Sequence, residues 1–273
     1  LGGAALVGSK QGSNILINIF YNVAVNAAVG IANQVRNAVF GFVTSFQTAF
    51  NPQIVKLYAI GENDQLINLI YKSSKFSYYL LFVISLPIIV FCREILSIWL
   101  IEVPKYAVVF TQLVIITSFT EALSAPLWTA IGATGKVQKY QVWVSLIILL
   151  DIPLVYLVFK SGFSPIWAFI INFLISMVAY IYRLLYIRKY VSYKLCSYLK
   201  CVILPCIIVT VTSSPLPFLL KGCNMSIEKL IFAVVMTILF SCFIIFLLGM
   251  SKNEQQFIMK RLKGIRNKYS HKH

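Results

Sequence analysis

The stretch Ile227-Glu-Lys-Leu-Ile-Phe-Ala-Val-Val-Met-Thr-Ile-Leu-Phe-Ser-Cys-Phe-Ile-Ile-Phe-Leu-Leu-Gly-Met250 runs from Leu230 to Met250 without a charged side chain. A run of about 20 apolar residues is the length that carries a helix across a bilayer core about 30 Å thick. It is not an isolated feature. Comparable runs lie near 4–27, 31–51, 77–100, 106–132, 140–160, 164–187 and 200–220. The stretches are continuous and do not alternate over about ten residues, which excludes the strands of a β-barrel. Lipid cannot satisfy open backbone groups, so the sequence predicts an all-α integral membrane protein of about eight transmembrane helices.

Composition agrees with this fold class. Of 273 residues, 59% are apolar and 12% charged, with a mean hydropathy of +0.84 and 35 Phe and Tyr side chains. Soluble domains carry roughly a quarter of their residues as charge, and disordered chains are poor in aromatic residues. Eight spans and their short loops use up residues 1–251, and a basic tail occupies 252–273. The chain opens on Leu1 without a basic segment or cleavage pattern, so it reads as the back part of a longer polypeptide and not as a signal peptide. Six cysteines match no zinc or redox spacing and read as small apolar fillers, and His occurs only at positions 271 and 273. Neither a metal, a cofactor nor a catalytic group is expected.

Basic residues set an orientation. Lys56, Lys72, Lys75, Lys136, Lys139, Arg183, Arg188, Lys189, Lys194, Lys200 and seven tail cations fall on one side, and Arg93, Lys105, Lys160, Lys221 and Lys229 on the other. The richer side is the cytoplasmic one, which places both ends of the chain in the cytoplasm and ascribes the net charge of +16 to topology, with no nucleic-acid partner. Phe257, Ile258, Leu262, Ile265 and Tyr269 recur at helical spacing among the tail cations, the pattern of a surface helix on anionic lipid.

Lys10 and Arg36 remain, both inside spans, where an ionisable group marks a functional site by default. Lys10, Asn14, Asn18, Asn22 and Asn26 repeat at i, i+4 and form one polar stripe. The second span repeats the theme with Asn33, Arg36, Asn37, Thr44, Gln47, Thr48 and Asn51. The two helices are expected to line a polar cavity, with interhelical hydrogen bonding in a dry bundle as the structural alternative. Helical rise puts Lys10 and Arg36 about 13 Å apart in depth. Glu121 and Asp151, also within spans, are candidate coupling sites or counter-ions for the two cations. Pro87, Pro126, Pro153 and Pro205 are expected to bend their helices.

Asn14-Ile-Leu-Ile-Asn-Ile-Phe20, Val25-Asn-Ala-Ala-Val-Gly-Ile-Ala-Asn-Gln-Val35, Phe46-Gln-Thr-Ala-Phe-Asn-Pro-Gln-Ile-Val-Lys56 and Ala133-Thr-Gly-Lys136 together resemble the second half of bacterial polysaccharide (Wzx-type) flippases, in the superfamily of the multidrug and toxin extruders. The resemblance implies the C-terminal lobe of a two-lobed transporter of 12 to 14 spans in the bacterial inner membrane. It implies that a polyprenyl-pyrophosphate-linked oligosaccharide is turned from the inner to the outer leaflet for O-antigen or capsule synthesis. The implied partners are membrane lipid, the lipid-linked sugar, and a missing N-terminal lobe or a second copy. Relatives often read Asn-Ala-Ala-Arg-Gly where this chain has Asn26-Ala-Ala-Val29-Gly30, and Arg36, close to the same helix face, is the substitute for the missing cation. Lys10 and Arg36 are therefore expected to bind the pyrophosphate. A drug or ion antiporter of the same superfamily and a membrane-embedded polysaccharide polymerase or ligase are the competing readings.

Overall fold

A computed structural model describes residues 2–222, 226–256 and 259–260. Among them the chain is helical throughout, and no strand forms. Helix α1 spans Gly2–Phe20, α2 Val23–Ala59, α3 Asn63–Val90, α4 Cys92–Trp99 and α5 Ala107–Ala133. Helices α6 (Val137–Leu149) and α7 (Asp151–Lys160) make one bent rod, and α8 covers Ile166–Ile187. A second rod contains α9 (Leu195–Tyr198), a π-helical segment Leu199–Ile203, α10 (Leu204–Ser213) and α11 (Pro215–Leu220). Helix α12 (Ile227–Ile244) continues as a π segment over Ile245–Gly249.

Six of these units are long and apolar enough to cross a membrane: 63–90, 107–133, 137–160, 166–187, 195–220 and 227–249. The first two helices are long enough but carry too many polar residues, a direct result of the stripes that define them. Their boundary also differs from the apolar runs. The expected break near residue 28 lies instead at Tyr21 and Asn22, where the Asn22 Oδ1 accepts the Val25 N–H at 2.9 Å and caps α2. From there α2 continues for 37 residues, about 55 Å, well beyond a bilayer core. The third unit begins at Asn63, not near 77, because only Ile60, Gly61 and Glu62 separate α2 from α3, with Gly61 at φ 79 making the left-handed turn. Lys56, Lys72 and Lys75 therefore sit on helices and not in a loop.

Helix α5 is the central column, packed on α2, α3 and α8, while α1 lies against α6, α7 and α2. The two last rods form a separate pair whose contact with the bundle runs through α3. Between helices in lipid the hydrophobic effect supplies little, so close packing and interhelical hydrogen bonds carry the association. Ala28 and Ala32 of α2 and Ala122 and Ala130 of α5 are buried. Gly249 meets the third helix so closely that a Cβ there would stand 2.8 Å from the Tyr79 Oη, the group that donates to the Gly249 carbonyl at 2.8 Å.

Prolines explain where these bonds form. Pro126 has no N–H to offer the Ala122 carbonyl one turn back, and the buried Gln47 Nε2 donates to that carbonyl at 3.1 Å. Pro153 likewise leaves the Leu149 carbonyl without its helical donor, and the rod bends at Leu150. At the end of α3, Gln112 Nε2 and Lys221 Nζ donate to the Ile89 and Val90 carbonyls at 2.8 and 2.6 Å.

The first part of the basic tail is docked. Residues 252–256 are helical, and Glu254 bonds the buried Lys75 Nζ at 2.7 Å. Burial pushes the Glu254 carboxyl up, yet the hydrogen bonds from Lys75 and from the Ser251 N–H outweigh it and hold the group below the ordinary carboxylate range. The surface helix expected from Phe257, Ile258, Leu262, Ile265 and Tyr269 lies outside the described residues.

Gln47→Leu should destabilise the protein by about 1 to 3 kcal/mol, since it strands the buried Ala122 carbonyl. Pro126→Ala, which returns the helical donor, should recover most of that loss in the double variant. Thermal unfolding in one detergent checks both; equal loss with and without Pro126 would show that the Gln47 bond is not what completes α5.

Candidate functional site

Helices α1, α2, α5, α7 and α8 enclose a cavity of about 270 Å³. Lys10, Gln11, Ser13 and Asn14 enter from α1, Asn33, Arg36 and Asn37 from α2, and Thr117 and Glu121 from α5. Asp151 closes it from α7, with Phe169 and Asn172 from α8. A second cavity of about 320 Å³ shares Lys10, Arg36, Glu121 and Asn172 and extends to Ser9, Ser176 and Arg183. Lys10, Gln11 and Asn37 are exposed, so the space opens on the face formed by α1 and α2.

Its charges are arranged unequally. The Arg36 guanidinium pairs with the Glu121 Oε2, donates to the Asn37 Oδ1 at 3.2 Å and lies 5.0 Å from the Phe40 ring centre. Arg183 donates to the Tyr140 Oη and the Ser124 Oγ, both at 2.7 Å, and so is held by neutral groups. Among the described residues the ion pairs are Arg36–Glu121, Lys75–Glu254 and Lys221–Glu94, and Lys10 belongs to none of them.

Asp151 is 1% exposed and pairs with neither cation. Its Oδ2 accepts from Ser9 Oγ at 3.0 Å and Ser13 Oγ at 2.7 Å, while its Oδ1 has no partner. The approach that allows this is made at Gly12, where a Cβ would fall 2.9 Å from the Ile152 Cγ1. Of the two acids read as counter-ions, then, Glu121 meets that description and Asp151 does not.

The polar stripes divide in the same way. Asn14, Asn33 and Asn37 line the cavity with Lys10 and Arg36. Asn18 is exposed on α1, Asn22 is the α2 cap, and Asn26 belongs to α2, so the five-residue ladder is not one helix face. Gln47 is buried against α5, and Asn51 accepts from Thr129 at 2.9 Å; both act as interhelical pins. Thr44 and Thr48 are exposed and return their hydroxyls to the Gly41 and Ser45 carbonyls. None of Asn18, Asn22, Asn26, Thr44, Gln47 and Thr48 lines the cavity: the helix breaks before Asn22, and along α2 a stripe spaced at four drifts around a helix of period 3.6. Lys10 and Arg36, expected at different depths, border one and the same cavity.

Sequence reasoning found α8 but missed its share in the cavity wall. Asn172, Ser176, Ala179 and Arg183 follow one helix face and all border the second cavity. Their spacing was the available signal. Comparison with protein-family models, curated proteins and solved structures finds no match to this chain.

Arg36→Gln should cost about 1 to 3 kcal/mol, less than a fully buried pair because Glu121 is partly exposed. Adding Glu121→Gln should return at least half of it, as the uncompensated acid is removed. A double-mutant cycle on thermal midpoints measures this; strictly additive losses would mean that the pair carries no coupling.

Proposed function

We propose that the chain is the C-terminal lobe of a bacterial polysaccharide flippase, moving a polyprenyl-pyrophosphate-linked oligosaccharide across the inner membrane for O-antigen or capsule synthesis. The observation that carries this reading is Lys10, a cation without an ion-pair partner among the described residues, inside an amide-lined cavity between apolar helices. An oligosaccharide diphosphate cannot enter hydrocarbon; amides must replace its water and cations its counter-ions. Asn14, Asn33, Asn37 and Asn172 supply the first, and Lys10 supplies the second. Arg36 is shared with Glu121 and is available to phosphate only by exchange of that partner.

In this reading α1 and α2 also cross the membrane, giving eight crossings with the lysine-rich side and both termini in the cytoplasm. The exposed Asn18, Gln34, Asn37, Thr44 and Thr48 cannot face lipid, so a second lobe or second copy covers them and completes the cavity. Asp151, with one carboxylate oxygen unpartnered, is the coupling site, and Glu121 the counter-ion. That same oxygen favours the second reading, a drug or ion antiporter, in which Asp151 exchanges a cation.

Restored to its complete transporter, Lys10→Gln should lower flipping of a pyrophosphate-linked oligosaccharide in proteoliposomes by about tenfold or more, the loss of one charged hydrogen bond, at unchanged protein level. Unchanged flipping would remove Lys10 from the site, and Asp151-dependent efflux of a cationic dye would favour the antiporter. Single cysteines at Lys105 and Lys194 should label from opposite sides of the membrane in inverted and right-side-out vesicles. Labelling of both from one side would refute the topology.

A further inference from the structure

A third, larger cavity of about 480 Å³ lies away from the proposed transport site, where the late helix pair meets α3. Its walls carry Lys72 and Lys75 of α3, Lys200 of the first π segment, and Glu254 with Asn253 after α12. The second π segment contributes Leu248 and Gly249, so both irregular stretches of the pair frame this one space. Single π turns in otherwise α-helical rods concentrate at functional sites. The first has a local cause: ahead of Pro205, the Leu204 N–H reaches back five residues to the Leu199 carbonyl.

Charge within the cavity is unbalanced. Glu254 is the acid among its lining residues, and it is committed to Lys75 at 2.7 Å. Lys72 and Lys200 are exposed and belong to no ion pair among the described residues. Asn68, Tyr71 and Asn253 add neutral donors. Beside this polar mouth the helices turn apolar, and Leu204, Leu247 and Leu248 are exposed on them. A polar cup on the lysine-rich side, continuous with an apolar flank, matches an amphiphile better than a soluble anion.

We infer that this cavity holds the phosphate headgroup of an anionic membrane lipid, with Lys72 and Lys200 on the phosphate and the acyl chains along α10 and the end of α12. The site stands apart from the cargo reading and would persist if the chain were an antiporter. Anionic headgroups near two uncompensated lysines gain attraction that a zwitterionic headgroup does not.

The test uses the full chain with defined lipids. In native mass spectrometry, phosphatidylglycerol should be retained over phosphatidylcholine by about thirtyfold, the product of two lysines at an anionic surface. Lys72→Gln with Lys200→Gln should bring the ratio close to one, while Lys136→Gln with Lys139→Gln, the same charge loss at the same end, should leave it. Equal phosphatidylglycerol retention by the two double variants would overturn the site. A measurement on unaltered protein covers any variant that fails to fold. Cys201 lines the cavity, and phosphatidylglycerol but not phosphatidylcholine should slow its alkylation by a charged maleimide, with the exposed Cys196 unaffected. Protection by inorganic phosphate alone, without protection by the lipid, would make this a soluble-anion site and overturn the lipid assignment.

Discussion

Hydrocarbon offers a polar group no water, so a donor or acceptor inside the bundle is satisfied only where the protein supplies its partner. Much of this architecture follows from that requirement at a few prolines and helix ends. The carbonyl that Pro126 strands is met by Gln47, which ties α2 to the central column, and the open end of α3 is met by Gln112 and Lys221. A proline here is not simply a kink. It creates an acceptor that a distant side chain must fill, and so fixes the register between two helices.

The same requirement separates the early helices from the late ones. From α3 onward many hydroxyls return to their own helix, as Thr111, Thr117, Ser118 and Thr237 do to the carbonyl four residues back, while those of Ser73, Ser77, Ser85, Ser213 and Ser241 are buried without a partner. On α1 and α2 a series of amides joins them. Some become pins, such as Asn51 on Thr129, and the remainder are left exposed or gathered at the cavity. A pair of helices that lipid cannot close is one that needs water, a polar ligand or another protein surface against it.

How far the sequence could be read follows from the same physics. Later units are legible because a continuous apolar run has ends: 164–187 and 227–250 match α8 and the α12 rod to within two residues. The α1–α2 boundary was hidden because Asn22 is one amide among several at the same spacing, and only its extended backbone and the hydrogen bond it accepts from the Val25 N–H make it a cap. Counting charges by side took Lys75 and Arg183 for loop residues, yet both lie within helices and turn their heads to Glu254 and to Tyr140 and Ser124. Pairing was the least legible layer. Glu121 and Asp151 look alike in sequence, and only the register between α2 and α5, and between α1 and α7, gives Arg36 to one and two serine hydroxyls to the other.

That pairing also decides how charge is distributed around the cavity. Lys10, Arg36 and Arg183 border the connected spaces with Glu121 and Asp151, three cations against two acids. Arg36 and Glu121 cancel locally, Arg183 is anchored through neutral hydroxyls, and Asp151 is held by two serine hydroxyls on one of its oxygens only. By formal charge the lining therefore carries one cation in excess. In a low-dielectric space one unit of charge outweighs several neutral hydrogen bonds, so such a lining suits an anionic group better than a cationic one. Asp151 and Lys10 need no contact to influence one another, because both border the same cavity.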